Sequence, residues 1–136
     1  MIIIKMKKLH LGSGKEIFKD YTNLDINNYP GVDVIHDLNK FPYPFKDNTF
    51  EEVYSYHCIE HLDNIVPVMK ELKRICKNKA KIIFYYPHFS SGNSHRDPTH
   101  KHRGFSLFMF EYFTDKENLL DYGLPKFKII KSRLNF

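Results

Sequence analysis

Two groups of residues in this chain have types and spacings suited to chemistry. Gly12-Ser13-Gly14 interrupts a run rich in Ile, Leu and Met, and Asp25 follows Gly14 by eleven residues. Glycines let the main chain take positive φ and let a ligand reach backbone N–H groups with no Cβ in the way. A glycine turn after one strand and a carboxylate at the end of the next is the arrangement that holds nucleotide-like cofactors, the turn on the charged part and the carboxylate on the ribose hydroxyls. The second group is rich in histidine. His57-Cys58-Ile59-Glu60-His61 sets two imidazoles four residues apart, on one face of a helical turn, with Glu60 beside them, a spacing that admits one metal ion. His88, His95, His100 and His102 follow in the polar stretch Pro87 to Gly104.

Each group needs elements to carry it. Met1 to Leu11 reads as a buried strand that stops at the glycine turn, and Tyr21 to Leu24 as a second strand closed by Asp25. Lys15 to Asp20 is too short for a crossover helix. Asn27 to Gly31 is a turn by composition, and Val32 to Leu38 a third strand ending in Asp37-Leu38. With only loops joining these strands, one sheet face is expected to be thinly covered. Asn39 to Asn48, with Pro42 and Pro44, is a loop whose aromatic rings pack under the glycine turn. Phe50 to Tyr56 reads as a fourth strand and His57 to Leu62 as a short helical turn at its end.

The clearest helix comes next. Ile65, Val68, Met69, Leu72, Ile75 and Cys76 recur at three- and four-residue steps, opposite Lys70, Glu71, Lys73, Arg74 and Lys77. Asp63 or Asn64 caps it, Pro67 falls in or beside its first turn, and Asn78 is its stop. Lys79 to Tyr86 is a fifth strand. Pro87 to Gly104 shows neither helical nor strand period, so it is expected to be a functional loop, a lid or wall of the site bearing His88, Asp97 and His100. Leu107 to Tyr122 reads as a helix and Phe127 to Leu134 as a sixth strand.

With 136 residues, 42% of them apolar, the chain is expected to fold as a single domain. It has no apolar run of membrane-spanning length and no signal-type leader, so no membrane role is expected. Cys58 and Cys76 lack C-x-x-C spacing, which suits a reducing, cytoplasmic setting and excludes a thiolate metal site. The net charge of +5 is carried by scattered lysines plus two clusters, Lys70 to Lys81 and Lys126 to Arg133, and a solvated surface accounts for both clusters better than an acidic partner does.

From Lys8 to Tyr86 the order and spacing of segments resemble the class I S-adenosylmethionine-dependent methyltransferases, within them the small type 11-like group. LHLGSG is similar to the first motif of that family, TNLDI to the second, and DVIHDLNKFPYPFKDNTFEEVYSYHCIEHL to the third and fourth run together, followed by the helix LKRICKN and a strand. The resemblance implies an α/β, Rossmann-like sheet of order 3-2-1-4-5-7-6 with its last strand antiparallel. For this chain it implies order 3-2-1-4-5 plus one or two C-terminal strands, trimmed of early crossover helices, with the last strand in doubt because only one is read beyond the last helix. It also implies S-adenosylmethionine as cofactor. Gly12 and Gly14 would face its methionine part, Asp25 the ribose hydroxyls, Asp37 the adenine amino group and Leu38 the adenine ring, with Tyr56 and His57 looking into the site; His10, Ser13 and Ile26 complete the set. Three departures stand out: His10 in place of an acidic residue, Glu16 in place of a third glycine, and Lys-Asn-Lys-Ala where Pro-Gly-Gly often precedes the fifth strand.

Methyl transfer from a sulfonium is an in-line displacement that needs alignment, sometimes a base, and no covalent nucleophile. His57, His88 and His100 are the candidate catalytic residues, with Tyr86 beside them, because imidazole exchanges a proton near neutral pH. H-x-x-E-H is also the spelling of one metalloprotease class, whose larger fold this chain does not resemble. In the small-RNA 3′-end 2′-O-methyltransferases, which this segment is also similar to, Glu-x-x-Glu-His and a later histidine hold a divalent metal. Here the first Glu is His57, and Glu-His also occurs in metal-free members, so a metal at His57, Glu60 and His61 is the less favoured reading. The acceptor, a small molecule or a macromolecule, is not legible. Two other functions compete: a catalytically degenerate cofactor-fold protein that binds a partner, and a nucleic-acid-binding or RNA-modifying module using the basic residues and His95 to Arg103. A second copy covering a free sheet edge would make a homodimer.

Overall fold

The computed structural model describes Ile2, residues 5–116 and residues 120–135. Five strands, β1 (Lys8–Leu11), β2 (Thr22–Asp25), β3 (Val34–Ile35), β4 (Phe50–Tyr56) and β5 (Cys76–Tyr85), form one sheet in the order β3-β2-β1-β4-β5. Every pairing is parallel. The chain moves outward from β1 to β3, then returns to lay β4 against the other side of β1, with Leu9 opposite Val53 and Leu11 opposite Ser55. The strand order therefore reverses between β1 and β4, where open α/β sheets leave a crevice at their carboxyl ends. This is the Rossmann-like order expected from the sequence.

One sheet face is packed by α1 (Ile65–Ile75). Leu9, Leu11, Leu24 and Val53 join Ile65, Val68, Met69, Leu72 and Ile75 in a single buried cluster. The helix starts because Asn64 Oδ1 accepts the Val66 N–H at 2.9 Å and Pro67, in the first turn, has no N–H to lose. Its end carries no glycine cap. The Arg74 and Ile75 carbonyls accept the N–H groups of Asn48 and Thr49 at 2.9 and 2.7 Å, so orphan acceptors of the last turn are satisfied by the chain entering β4. Cys76 is already extended and opens β5. The stop at Asn78 and the strand start at Lys79 are thus displaced upstream; residues 77–80 make a bulge, the five steps from Cys76 to Lys81 facing only the two from Phe50 to Glu52.

Among the described residues no helix packs on the opposite face. The β1–β2 and β2–β3 links are loops, as their lengths predict. His10, Asn23 and Tyr54 stand in register on this face, where Phe18 stacks on His10 at 4.2 Å and lies 5.1 Å from the Tyr54 ring. Beyond Phe18 the cover ends, leaving Tyr56 and Tyr85 48% and 38% exposed.

Several expectations are corrected. Residues 5–7 are exposed and not in a strand: β1 is only Lys8–Leu11, and upstream of it Lys7 makes a single backbone bond to β4, its carbonyl accepting the Glu51 N–H at 2.8 Å, while its own N–H turns to the Glu51 side chain; Met1, Ile3 and Ile4 lie outside the described residues. The third strand shrinks to Val34–Ile35. Glu71 is not on the solvent face: it is buried, its carboxylate accepting the Tyr43 N–H at 2.7 Å and both ends of the Arg74 guanidinium. Arg74 also donates to the Phe45 carbonyl and Asp47, which clips residues 43–47 to α1. The helix over Leu107 to Tyr122 is a single 3-10 turn, Met109–Phe113, because Phe105, Phe110 and Phe113 are drawn onto Tyr86 and one another and Thr114 closes on the Glu111 carbonyl; residues 117–119 lie outside the described ones. Phe127 to Leu134 is no strand: Phe127 donates one backbone bond to Phe113 O, and Ile130 is 84% exposed.

Candidate active site at the carboxyl ends of β1 and β4

The glycine turn is tied directly to the end of β2. Gly12 and Gly14 have φ of +63° and +54°, conformations that suit glycine. Ser13 N–H donates to the Leu24 carbonyl at 3.0 Å and Gly14 N–H to Asp25 Oδ2 at 2.8 Å. The other Asp25 oxygen accepts the Asn27 N–H at 2.9 Å, so the buried carboxylate is oriented from both sides. A side chain at position 12 would collide with Cys58 Sγ and stand 2.8 Å from Cys58 Cβ. Thus the turn after β1 touches the segment that follows β4, and the two line one crevice.

That segment is itself constrained. His57 takes φ +48°, rare for a residue with a side chain, while its N–H reaches the Tyr85 carbonyl at 2.9 Å. Its Nδ1 lies 3.0 Å from Glu60 Oε1. A carboxylate there accepts, so in the neutral ring His57 Nδ1 carries the proton and Nε2 the lone pair. Cys58 follows, its thiol pushed up by burial first and the Glu60 charge second, which disfavours the nucleophilic thiolate near neutral pH.

Glu60 is fully buried at the start of a 3-10 turn, Ile59–His61. Its carbonyl accepts the N–H groups of Lys101 and His102 at 2.9 and 3.0 Å, which draws the later loop over the end of β4. The loop is closed at its base by Phe105 N–H to Pro87 O and Phe89 N–H to Phe105 O, and it contains a short helix, α2 (Gly92–Arg96), that the sequence did not reveal. Within it Thr99 donates twice to Asp97, which holds that carboxyl below its ordinary range. His61 and His100 meet edge to face at 4.6 Å. Among the described residues the buried polar side-chain atoms with no partner are Ser55 Oγ, Glu60 Oε2 and His102 Nε2. All three sit on β4, at its end, or on the loop tied to Glu60.

The candidate residues are therefore not all gathered in one place. Gly12, Ser13, Gly14 and Asp25 form the turn; Tyr56 lies against the His57 ring at 4.5 Å, and His100 joins Glu60 and His61. Asp37 accepts the Asn39 N–H at 2.9 Å beyond β3, next to buried Leu38; Ile26 is 59% exposed beside Asp25. His10 is not in the crevice: it is 1% exposed, enclosed by Phe18, Tyr54 and Asn23. His88 bonds Ser90 and pairs with Phe105, with no contact to Glu60 among the described residues. A cavity of about 550 Å³ between Leu107–Lys116 and Phe127–Ser132 shares none of these residues. No helix of the described residues is long and apolar enough to cross a membrane.

Residues 9–84 match the family model described as a methyltransferase domain. The chain belongs to this family, that of the class I S-adenosylmethionine-dependent methyltransferases. It is 33% identical over 89 residues to an uncharacterized protein of Methanocaldococcus jannaschii, covering 65% of this chain and 35% of that one. It is 38% identical over 42 residues to sterol 4-C-methyltransferase strm-1 of Caenorhabditis elegans, covering 31% of this chain and 13% of that one. The chain thus spans about a third or less of the length of these curated relatives. No solved structure matches it significantly.

Proposed function

We propose that this chain binds S-adenosylmethionine across the carboxyl ends of β1, β2 and β4 and transfers its methyl group to an acceptor. The observation that carries this reading is the Gly14 N–H bond to the buried Asp25 carboxylate, made by the turn that follows β1, the strand from which the order reverses toward β4. The residues fit the cofactor: a carboxylate oriented by two backbone N–H groups stands beside the turn, and open space lies where a Cβ at Gly14 would be. Gly12, Ser13 and Gly14 would hold the methionine part, Asp25 the ribose, Asp37 and Leu38 the adenine. Bound there, the cofactor supplies an activated methyl group for in-line displacement.

The chain's own contribution to the chemistry is a base and a wall. Glu60 orients the His57 ring so that its neutral tautomer presents the Nε2 lone pair, and the His57 side chain is 42% exposed at the end of β4, open to an acceptor. The loop from Pro87 to Phe105, anchored on the Glu60 carbonyl, closes the acceptor side. Titration calorimetry with S-adenosylmethionine tests the reading. Asp25→Ala removes a charged acceptor worth about 1.5–3 kcal/mol, or about one to two decades of affinity. Wild-type binding with an unchanged affinity in the variant would take Asp25 out of the site. A wild-type chain that does not bind at all would leave a cofactor-fold protein that serves a partner without catalysis.

A further inference from the structure

We infer that Glu60, His61 and His100 form a binding site for one divalent transition-metal ion, preferentially Zn²⁺, beside the crevice. A carboxylate oxygen of Glu60 and one ring nitrogen of each histidine lie within 4.8 Å of one another. The sequence grouping of His57, Glu60 and His61 is replaced by one that only the fold brings together, because His100 is delivered by the loop whose Lys101 and His102 N–H groups grip the Glu60 carbonyl.

The hydrogen bonding leaves lone pairs where an ion needs them. His100 Nδ1 stands 3.2 Å from the Ser94 carbonyl, which can only accept, so in the neutral ring Nε2 is bare. The Thr99 hydroxyl lies 2.6 Å from Asp97 Oδ1 and 3.1 Å from His61 Nδ1. Its one hydrogen goes to the carboxylate, so His61 Nδ1 is the donor and His61 Nε2 is likewise bare. A backbone carbonyl or an oxygen behind one imidazole nitrogen is the outer support that metal-bound histidines usually have. His100 Nε2 then faces Glu60 Oε1 at 4.0 Å and Asp97 Oδ2 at 3.7 Å. Both gaps exceed the roughly 2.7–2.9 Å of a charge-assisted hydrogen bond. Acceptors face acceptors across a space of ionic size.

The second sign is the orphaned oxygen. Glu60 Oε2 is buried without a partner on a side chain that is 1% exposed, and a carboxylate oxygen left so is costly unless a cation or water meets it. Two imidazoles and one carboxylate suit zinc, whereas magnesium and calcium take oxygen donors. Donors around a tetrahedral zinc at about 2.0–2.1 Å would stand roughly 3.4 Å apart. Closing on the ion therefore takes side-chain shifts of about 1 Å, within reach of rotamer adjustment. Three protein donors leave a fourth position open.

This inference is independent of the cofactor reading and is tested without it. Chain stripped of metal by a chelator is titrated with Zn²⁺ by calorimetry and with Co²⁺ by visible absorption. One equivalent is expected to bind, with Co²⁺ giving the strong bands of a low-symmetry site and Mg²⁺ failing to compete. His61→Ala and His100→Ala are each expected to weaken Zn²⁺ binding at least about tenfold, and Thr99→Val, which frees the His61 ring, to weaken it as well. His95→Ala, outside the group, should leave binding unchanged, and Asp25→Ala should too, which separates this site from the cofactor's. In the wild-type chain, Zn²⁺ should shift the imidazole NMR signals of His61 and His100 and leave that of His36 in place. No binding by the stripped chain, or binding without those two shifts, overturns the proposal, as does folded double variant His61→Ala/His100→Ala that retains the affinity.

Discussion

His10 shows how a residue's neighbours decide its part. It occupies the strand position just before the turn, where the methyltransferase resemblance assigns it to the cofactor, yet the chain folds Phe18 flat against its ring at 4.2 Å. The Asn23 amide nitrogen donates to the Phe18 and Tyr21 carbonyls, so its oxygen is turned to accept from Phe18 N–H and from His10 Nδ1. Burial first, against the smaller pull of Asn23 and the charges of Glu16 and Asp25, holds the His10 pKa below its ordinary value. A base whose folded pKa is depressed favours folding in its neutral form. Its contribution is complete above the ordinary imidazole value of about 6.5 and is lost as pH falls through the folded value. We therefore expect the stability difference between wild type and His10→Phe to shift against the wild type when urea unfolding midpoints measured at pH 7.5 are repeated at pH 5.5. A difference that does not change with pH would mean that His10 is not a buried neutral ring.

At the scale of elements, legibility followed the reach of the interaction. β1, β2, β4 and α1 are marked by local apolar patterns that match the cluster they join, so their centres could be read from single residues such as Leu9, Val53 and Leu72. Phe127 to Leu134 has a similar local pattern but pairs with no strand among the described residues, and a strand exists only through its neighbour. Glu71 and Arg74 look like a solvated helix face; what buries Glu71 is Tyr43, which lies 28 residues away along the chain. His100 could be named as a candidate but not joined to Glu60, since that join depends on how the Pro87 to Phe105 loop closes. Gly104 is the residue that lets it close, with φ of +108° and the Phe89 backbone N 2.7 Å from where a Cβ would stand. Gly104→Ala should therefore open the loop without dissolving the sheet. Limited proteolysis is expected to cut between residues 90 and 103 several-fold faster in the variant, with little change in the main thermal transition. Equal cleavage rates would show that the loop is held by other contacts.

Across the whole molecule, stability is unevenly divided. The side of the sheet holding β1, β4 and β5 is backed by α1, whereas β2 and β3 lie beyond helix-free links, and β3 is two residues long. What holds β3 is a short ladder, with Asp33 N–H to Asn23 O at 2.8 Å and His36 N–H to Asp25 O at 2.9 Å. Such an edge opens at lower free energy than the core and is expected to exchange its amides first. In the proposed reading the cofactor spans the turn after β1, Asp25 after β2 and Asp37 after β3, so it links the well-backed half to the weakly backed one. Binding that favours only the closed arrangement stabilises it by about 2.7 kcal/mol at one hundred times Kd. Hydrogen exchange followed by mass spectrometry should then show S-adenosylmethionine slowing the amides of residues 22–38 strongly, while those of α1, already protected by the core, change little. Asp25→Ala should abolish the difference at the same ligand concentration. Protection that instead appears in residues 107–132, around the remote cavity, would place the ligand elsewhere and remove the crevice between β1 and β4 as its site.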